Sequence, residues 1–385
     1  MKRQPHNDTH ARSARKMARS VVLLLALLAP LVSTTLLAAP PPITNVYQVP
    51  AGATAVPVGS FPRGIFTNWT SIPAKQAAIL RDPDVAGVGL DLTWPDLEPA
   101  SGHYQWAALD TPLAVVNGHK QILLRLTSGG AHTPAWVLQQ SQTFSFNDPN
   151  PYHATAGQAV TIPVFWDPNF LAAKVRMIQD VGAHLAGQQP IAIVAASCAN
   201  ASTNDWNPVS KTPEDYAQWL KLGFIPARLI DACDQIIDAT AAAFPASFIA
   251  LSVASSGKFD ASPDAIAMAV VAHAMANHPG RIIVEKNALS AHTPDPTITS
   301  DLGSWQIIKD HAPAVAGQML WFVSGDATCR MNGRQTPCDP ATVLTTAITT
   351  GVHYGMSYEE IYTADVLNPA LASIIHHTNE LLTQQ

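Results

Sequence analysis

The stretch Val85-Ala-Gly-Val-Gly-Leu-Asp-Leu-Thr-Trp94 is apolar almost throughout. It does not alternate apolar with polar, as a strand with one wet face would. Continuous apolarity over this length reads as a parallel strand covered on both faces. Seven more runs of the same kind follow or precede it: Gly64–Trp69, Gln121–Thr127, Ile191–Ser197, Phe248–Ala254, Arg281–Glu285, Gly317–Val323 and Gly355–Tyr362. Between them lie longer Ala-rich or amphipathic stretches, including Pro73–Leu80, Pro168–Leu185, Pro213–Ala243, Pro263–Ala276 and Pro340–Thr350. Several begin with Pro after a polar residue (Asp167, Thr212, Ser262, Asp339). That order suits a helix start, because Pro fits the first turn and the polar side chain can cap it. Eight strand-helix units over residues 61–385 predict a single α/β domain, a (β/α)8 TIM barrel. A doubly wound open sheet is the alternative.

Charge is unevenly distributed around that domain. The chain of 385 residues carries a net charge of −6, and only 13% of its side chains are charged. Residues 1–39 hold six basic residues and one acid, which leaves 16 basic and 27 acidic residues and a net charge of −11 for the rest. The basic start, the apolar run from Val21 and the small residues before Pro40 read as a secretory signal peptide. An uncleaved anchor over Ser20–Ala39 is the alternative reading. A Pro-rich lead, 40–60, follows. An acidic body excludes the basic footprint of a nucleic-acid binder, and 47% apolar residues exclude a disordered chain.

Export places the four cysteines in an oxidising compartment. Cys329 and Cys338, nine residues apart, are expected to form a disulfide. Cys198 and Cys233 either pair or stay as buried thiols. No CxxC, HxH or HExxH occurs, so no metal is expected. A Gly-x-Ser-x-Gly elbow and a phosphate-binding loop are also absent, and Gly87-Val-Gly89 lacks the third glycine of a dinucleotide fingerprint. No cofactor is expected either.

In a barrel the chemistry sits at the C-terminal strand ends. Trp69, Trp94, Trp136, Trp206 and Trp321 all fall at or just beyond them. A single Trp there is a packing residue, but five together suit stacking on sugar rings. Trp94-Pro-Asp-Leu-Glu98-Pro99, Gly102, Tyr104, Trp106 and Asp110 then keep the spacing W-x-x-L-E-P-x-x-G-x-Y-x-W-x-x-L-D. This resembles a signature of (β/α)8 glycoside hydrolases, in the retaining superfamily that includes beta-galactosidase-like and cellulase-like members. Tyr358-Glu-Glu360-Ile-Tyr362-Thr-Ala-Asp365 looks like the last strand of related barrels.

The resemblance implies an Asn-Glu pair after strand four as acid/base and a Glu ending strand seven as nucleophile. Asn204-Asp205 is the nearest match to the first, though Asn-Asp-Trp-Asn-Pro is also good turn chemistry. Strand seven offers Gln318 and no Glu. The remaining carboxylates are Glu285, Asp326 and one of Glu359 and Glu360; the family pattern favours Glu360. Glu98 belongs to a framing loop, where turn-making is the expected role. Asp205 with Glu360 or Glu285 is therefore the expected catalytic set. Arg125, His132, Asn204 and Asn287 are placed to support it, with Asn200 similarly placed, and the Trp residues are placed to bind substrate. The expected activity is hydrolysis of O-glycosidic bonds in an exported poly- or oligosaccharide hydrolase. A barrel that only binds sugar is the alternative, and the missing strand-seven Glu is its warrant.

Overall fold

The computed structural model describes residues 61–384 apart from 130–131, 154, 189–190, 202, 204–205, 210–211 and 260–263. The leader 1–39 and the lead 40–60 lie outside the described residues. Among the described residues ten strands occur: β1 (Gly64–Asn68), β2 (Val85–Thr93), β3 (Gln121–Thr127), β4 (Thr143–Asn147), β5 (Ala159–Pro163), β6 (Ile193–Ala195), β7 (Phe248–Ser252), β8 (Ile282–Leu289), β9 (Val315–Met319) and β10 (Tyr358–Ile361). Eight of them close into a barrel in the order β1-β10-β9-β8-β7-β6-β3-β2, every pair parallel. The open-sheet alternative is excluded by the β1–β10 pairing, Gly64 opposite Tyr358 and Thr67 opposite Ile361.

β4 and β5 were absent from the sequence reading. They form an antiparallel hairpin outside the barrel. Phe144, Phe146, Val160 and Ile162 point inward while Ser145 and Thr161 face solvent. This is the alternating pattern of a half-covered ribbon.

Three of the expected polar caps start their helices, while Ser262 and Pro263 lie outside the described residues and the helix expected from 263 begins at Ala265 with no side-chain cap. Asp167 accepts from the amides of Asn169 and Phe170 at 3.0 Å, and Asp339 from that of Thr342 at 2.9 Å. Thr212 and Asp215 form a reciprocal capping box. The stretch expected as one helix, 213–243, is two: Pro213–Lys221 and Pro226–Ala243. Gly223, at φ +83°, turns the chain out of the first helix. Ile225 is extended, as a residue before proline prefers to be, and Pro226 opens the second. The seventh predicted run also shifts, from 317–323 to Val315–Met319, and its last ladder bond runs from the Leu320 amide to Leu289 O of β8 at 2.8 Å.

Inside the barrel, one end is apolar. Phe66, Leu123, Ile193, Phe248, Ala250, Ile283, Ala316 and Tyr358 fill it. A larger core lies between the strands and the surrounding helices. Both cysteine pairs are disulfides, Cys198–Cys233 and Cys329–Cys338. Among the described residues no helix is long and apolar enough to cross a membrane.

One group in that outer core is out of place. Glu359, on the outward side of β10, is buried against Gly351 of the surrounding helix Pro340–His353. Neither carboxyl oxygen has a hydrogen-bond partner among the described residues. Burial pushes its pKa well above the ordinary carboxylate range. The folded chain therefore keeps a proton that the unfolded chain has released, so stability falls as pH rises from ~4.3 through the folded value. Glu359→Met is expected to remove that fall and to stabilise the chain by about 1–3 kcal/mol at pH 8. Urea unfolding of both proteins at pH 5 and pH 8 checks this; parallel pH dependences would contradict it.

Candidate functional site

Above the apolar layer the barrel interior becomes polar. Alternation along the strands brings one inward residue from each of several to the same level: Asn68 of β1, Asp91 of β2, Arg125 of β3, Glu285 of β8, Gln318 of β9 and Glu360 of β10. Arg125 stands at the centre. Its guanidinium grips Glu360 with both arms, Nη2 to Oε2 at 2.5 Å and Nη1 to Oε1 at 3.0 Å. Nη2 also donates to Glu285 Oε1 at 3.4 Å. Gln318 Nε2 and Asn68 Nδ2 donate to the same Glu360 carboxylate at 2.8 and 3.3 Å. The phenol of Tyr358 donates to Glu285 Oε2 at 2.5 Å.

All three charges are inside the protein, with Arg125 3%, Glu285 2% and Glu360 0% exposed. Buried ions cost several kcal/mol each in lost hydration, which only close pairing and full hydrogen bonding can offset. Both conditions are met here. Burial works against the Arg125 charge, but Glu360, Glu285 and Asp91 outweigh it and hold the guanidinium protonated. Burial and Glu285 push the Tyr358 phenol well up, so it remains a donor. Gly89 makes room for the pair: a β-carbon there would sit 2.4 Å from Glu360 Oε1 and 2.9 Å from Arg125 Nη1.

Asp91 differs from the other two acids. Its side chain is 43% exposed, and it lies 4.0 Å from Arg125 Nη1. It is a carboxylate that solvent reaches at the barrel mouth. The sequence reading passed over it, although it stands two residues after Gly89 on the strand face that carries the pair.

The structure thus brings Arg125, Glu285 and Glu360 together. Asn287 follows on β8, half-buried. Trp321 is half-buried beyond β9, with its ring centroid 5.8 Å from that of Tyr362. Trp69 and Trp136 are also half-buried. Trp136 donates Nε1 to Glu98 O at 3.1 Å and carries the Arg176 guanidinium over its ring. Two other Trp residues leave no face for a ligand. Trp94 is 1% exposed and gives its Nε1 to Glu98, and buried Trp206 gives its own to Ser256 Oγ. His132 is half-buried, and burial lowers its pKa against the opposing effect of Asp96. Asn204 and Asp205 lie outside the described residues.

Ser197 and Cys198, which precede them, are tied down. Buried Lys174 donates to Ser128 Oγ at 2.9 Å and to Ser197 O. Cys198 is bonded to Cys233 of the helix Pro226–Ala243. Desolvation lowers the Lys174 ammonium to about 7.

The signature residues 94–110 form a brace rather than a site. Glu98, fully buried, accepts from Trp94 Nε1, the Gly102 amide and Arg176 at 2.8, 2.7 and 2.6 Å. Trp106 stacks on Tyr104 and on His184, and His184 pairs with Asp110 at 2.8 Å. The motif therefore fastens the loop after β2 to the helix Pro168–Leu185. Asp326 serves its own loop, accepting from Thr328 and the Arg330 amide. Among the described residues no three His, Cys, Asp or Glu side chains gather where they could hold a metal ion.

No family model matches the chain, and no curated protein matches it. Solved structures do. The catalytic domain of a beta-amylase from Paenibacillus polymyxa superposes with a TM-score of 0.51 at 9% identity, covering 86% of this chain and 99% of that one. An exo-beta-1,4-mannosidase from Opitutaceae bacterium strain TAV5 gives 0.45 at 13%, covering 82% and 55%. Endo-glycoceramidase II from Rhodococcus sp. gives 0.46 at 14%, covering 78% and 72%. These structural neighbours are glycoside hydrolases; with the beta-amylase domain, at 9% identity, this chain has the fold alone in common.

Proposed function

We propose that the chain is an exported glycoside hydrolase that works on a poly- or oligosaccharide at the C-terminal mouth of the barrel. The observation that carries this is the polar end of the barrel interior. An enclosed Arg125–Glu360–Glu285 cluster, with solvent-reached Asp91 above it, is costly for a purely structural core. Half-buried Tyr362, two residues past Glu360, supplies an aromatic ring there, and Trp321 beside it already carries Arg330 and Phe322 on its ring. Glycosidic cleavage uses two carboxyl groups across the bond, one giving a proton to the leaving oxygen and one taking the anomeric carbon or activating water. Glu360 and Glu285 are enclosed and hydrogen-bonded, so their part is to hold Arg125 and shape the floor. Asp91 takes the carboxylate role instead, and Asp205, on the loop after β6, takes the acid role. Two disulfides and the basic-apolar leader support work outside the cytosol.

A second reading is favoured by the same enclosure. With Glu360 and Glu285 both closed off by Arg125, the barrel binds a glycan without turning it over. Incubation of the mature protein with a broad oligosaccharide panel separates the two. Release of reducing ends, lost in Asp91→Asn and Asp205→Asn while binding is kept, is the expected result. Binding without any release would establish the second reading. Unchanged turnover in Asp91→Asn would remove Asp91 from the chemistry.

A further inference from the structure

We propose that the glycan bound at this mouth is acidic: its sugar units carry carboxylates, and Arg330 with Arg334 recognises them. The inference rests on the carbohydrate reading above and gives it a substrate class.

Alternation continues past the end of β10, so Tyr362 stands on the same side as Glu360, one step nearer the mouth. Trp321 lies against Tyr362. The Arg330 guanidinium lies over Trp321, 4.6 Å from the ring centroid, and over Tyr152 at 4.3 Å. Arg334 is 5.8 Å from the Tyr152 ring and donates Nη2 to the Tyr152 hydroxyl at 3.5 Å. A continuous surface therefore runs from the barrel floor through two aromatic rings to two guanidinium groups.

Neither arginine is in an ion pair with a carboxylate among the described residues, in a body whose net charge is −11. The nearest acid influence on Arg330 is Asp326, whose oxygens already accept from Thr328 and the Arg330 amide. Arg330 Nη1 is buried and has no acceptor among the described residues. An unmatched buried donor of this kind is costly unless a ligand supplies the acceptor. Arg125 and Lys174 do not compete for that ligand, since Glu360, Glu285, Ser128 and Ser197 already occupy them.

The loop is also held in shape before any ligand arrives. Cys329–Cys338 closes it, Asn332 Nδ2 donates to Gln335 O and Pro337 O, and the Ala291 amide donates to Met331 O at 3.0 Å. A guanidinium fork matches a planar carboxylate with two parallel hydrogen bonds. In a uronic acid the carboxylate projects from the rim of the ring, so a sugar held at the mouth beside Tyr362 can turn it toward Arg330, whose guanidinium already covers Trp321. A neutral sugar has no group there that uses the positive charge.

The test uses matched β-1,4 oligosaccharides that differ at C6 alone: glucuronate against glucose, mannuronate against mannose and galacturonate against galactose. Binding to the mature protein is measured by calorimetry at low and high salt. The acidic member of at least one pair is expected to bind about tenfold tighter at low salt, with the preference shrinking as salt rises. Arg330→Met should abolish the preference, and Arg334→Gln should reduce it. Arg334 is exposed, so its variant keeps the test decisive should Arg330→Met not fold. Equal binding within every pair, or a preference that survives both substitutions, overturns the inference and leaves the carbohydrate reading standing. If no member of any pair binds, the carbohydrate reading falls and this inference with it.

Discussion

Arg125→Met is expected to cost about 3–5 kcal/mol of stability at pH 7. The substitution keeps the bulk of the side chain but leaves Glu360 and Glu285 enclosed without their shared cation. Gln318, Asn68 and Tyr358 can still donate to them, but three neutral donors do not match two negative charges in a site away from water. The two carboxyls then keep protons in the folded state that the unfolded chain gives up. The variant is therefore nearest to the parent in stability below ~4.3 and falls behind it as pH rises through the folded values. Adding Glu360→Gln to Arg125→Met should recover part of the loss, because one uncompensated charge is gone. Urea unfolding at pH 5 and pH 8 measures all of this. A deficit under about 1 kcal/mol, or one independent of pH, would mean the cluster is not held by charge at all.

Much of the barrel was legible because parallel strands covered on both faces leave continuous apolar runs, and β1, β2 and β3 begin at the predicted residues. The β4–β5 hairpin escaped for the complementary reason. Phe144-Ser-Phe146 alternates, and a search for continuous runs steps over it. The site was legible in parts only. Scarce carboxylates at strand ends marked Glu285 and Glu360; two-residue alternation allowed only one of Glu359 and Glu360 to point inward, and the family pattern favoured Glu360. What no local pattern carries is that Arg125, 235 residues before Glu360, closes on it with both arms. That pairing turns two candidate reactive acids into an enclosed floor. It also shifts attention to Asp91, a charge inside an otherwise apolar strand. The 94–110 signature reads as a frame in the sequence and is one in the structure, where Glu98, Trp106 and Asp110 fasten it to the helix Pro168–Leu185.

Replacing Cys198 and Cys233 together by Ala is expected to cost about 3–4 kcal/mol, against roughly 2–3 kcal/mol for the Cys329 and Cys338 pair. The difference comes from loop length, since the first bond spans 35 residues and the second nine, and closing a longer loop removes more freedom from the unfolded chain. The functional effect should differ even more. β6 is only three residues long, so the ladder places little of the chain beyond Ala195. The disulfide, the Lys174 contacts and the Trp206–Ser256 bond tie down Ser197, Cys198 and Trp206, described residues that flank Asp205. Loss of the Cys198–Cys233 bond should therefore lower turnover more than it lowers glycan affinity, because the aromatic and arginine surface around Trp321 belongs to a different loop. Urea unfolding of the two double variants, with turnover and binding measured on the folded fraction, tests both halves. If the Cys198/Cys233 variant keeps full turnover, Lys174 and Trp206 suffice to hold the loop. If it loses binding and turnover equally, the loop after β6 contributes to holding the glycan as well as to cleaving it.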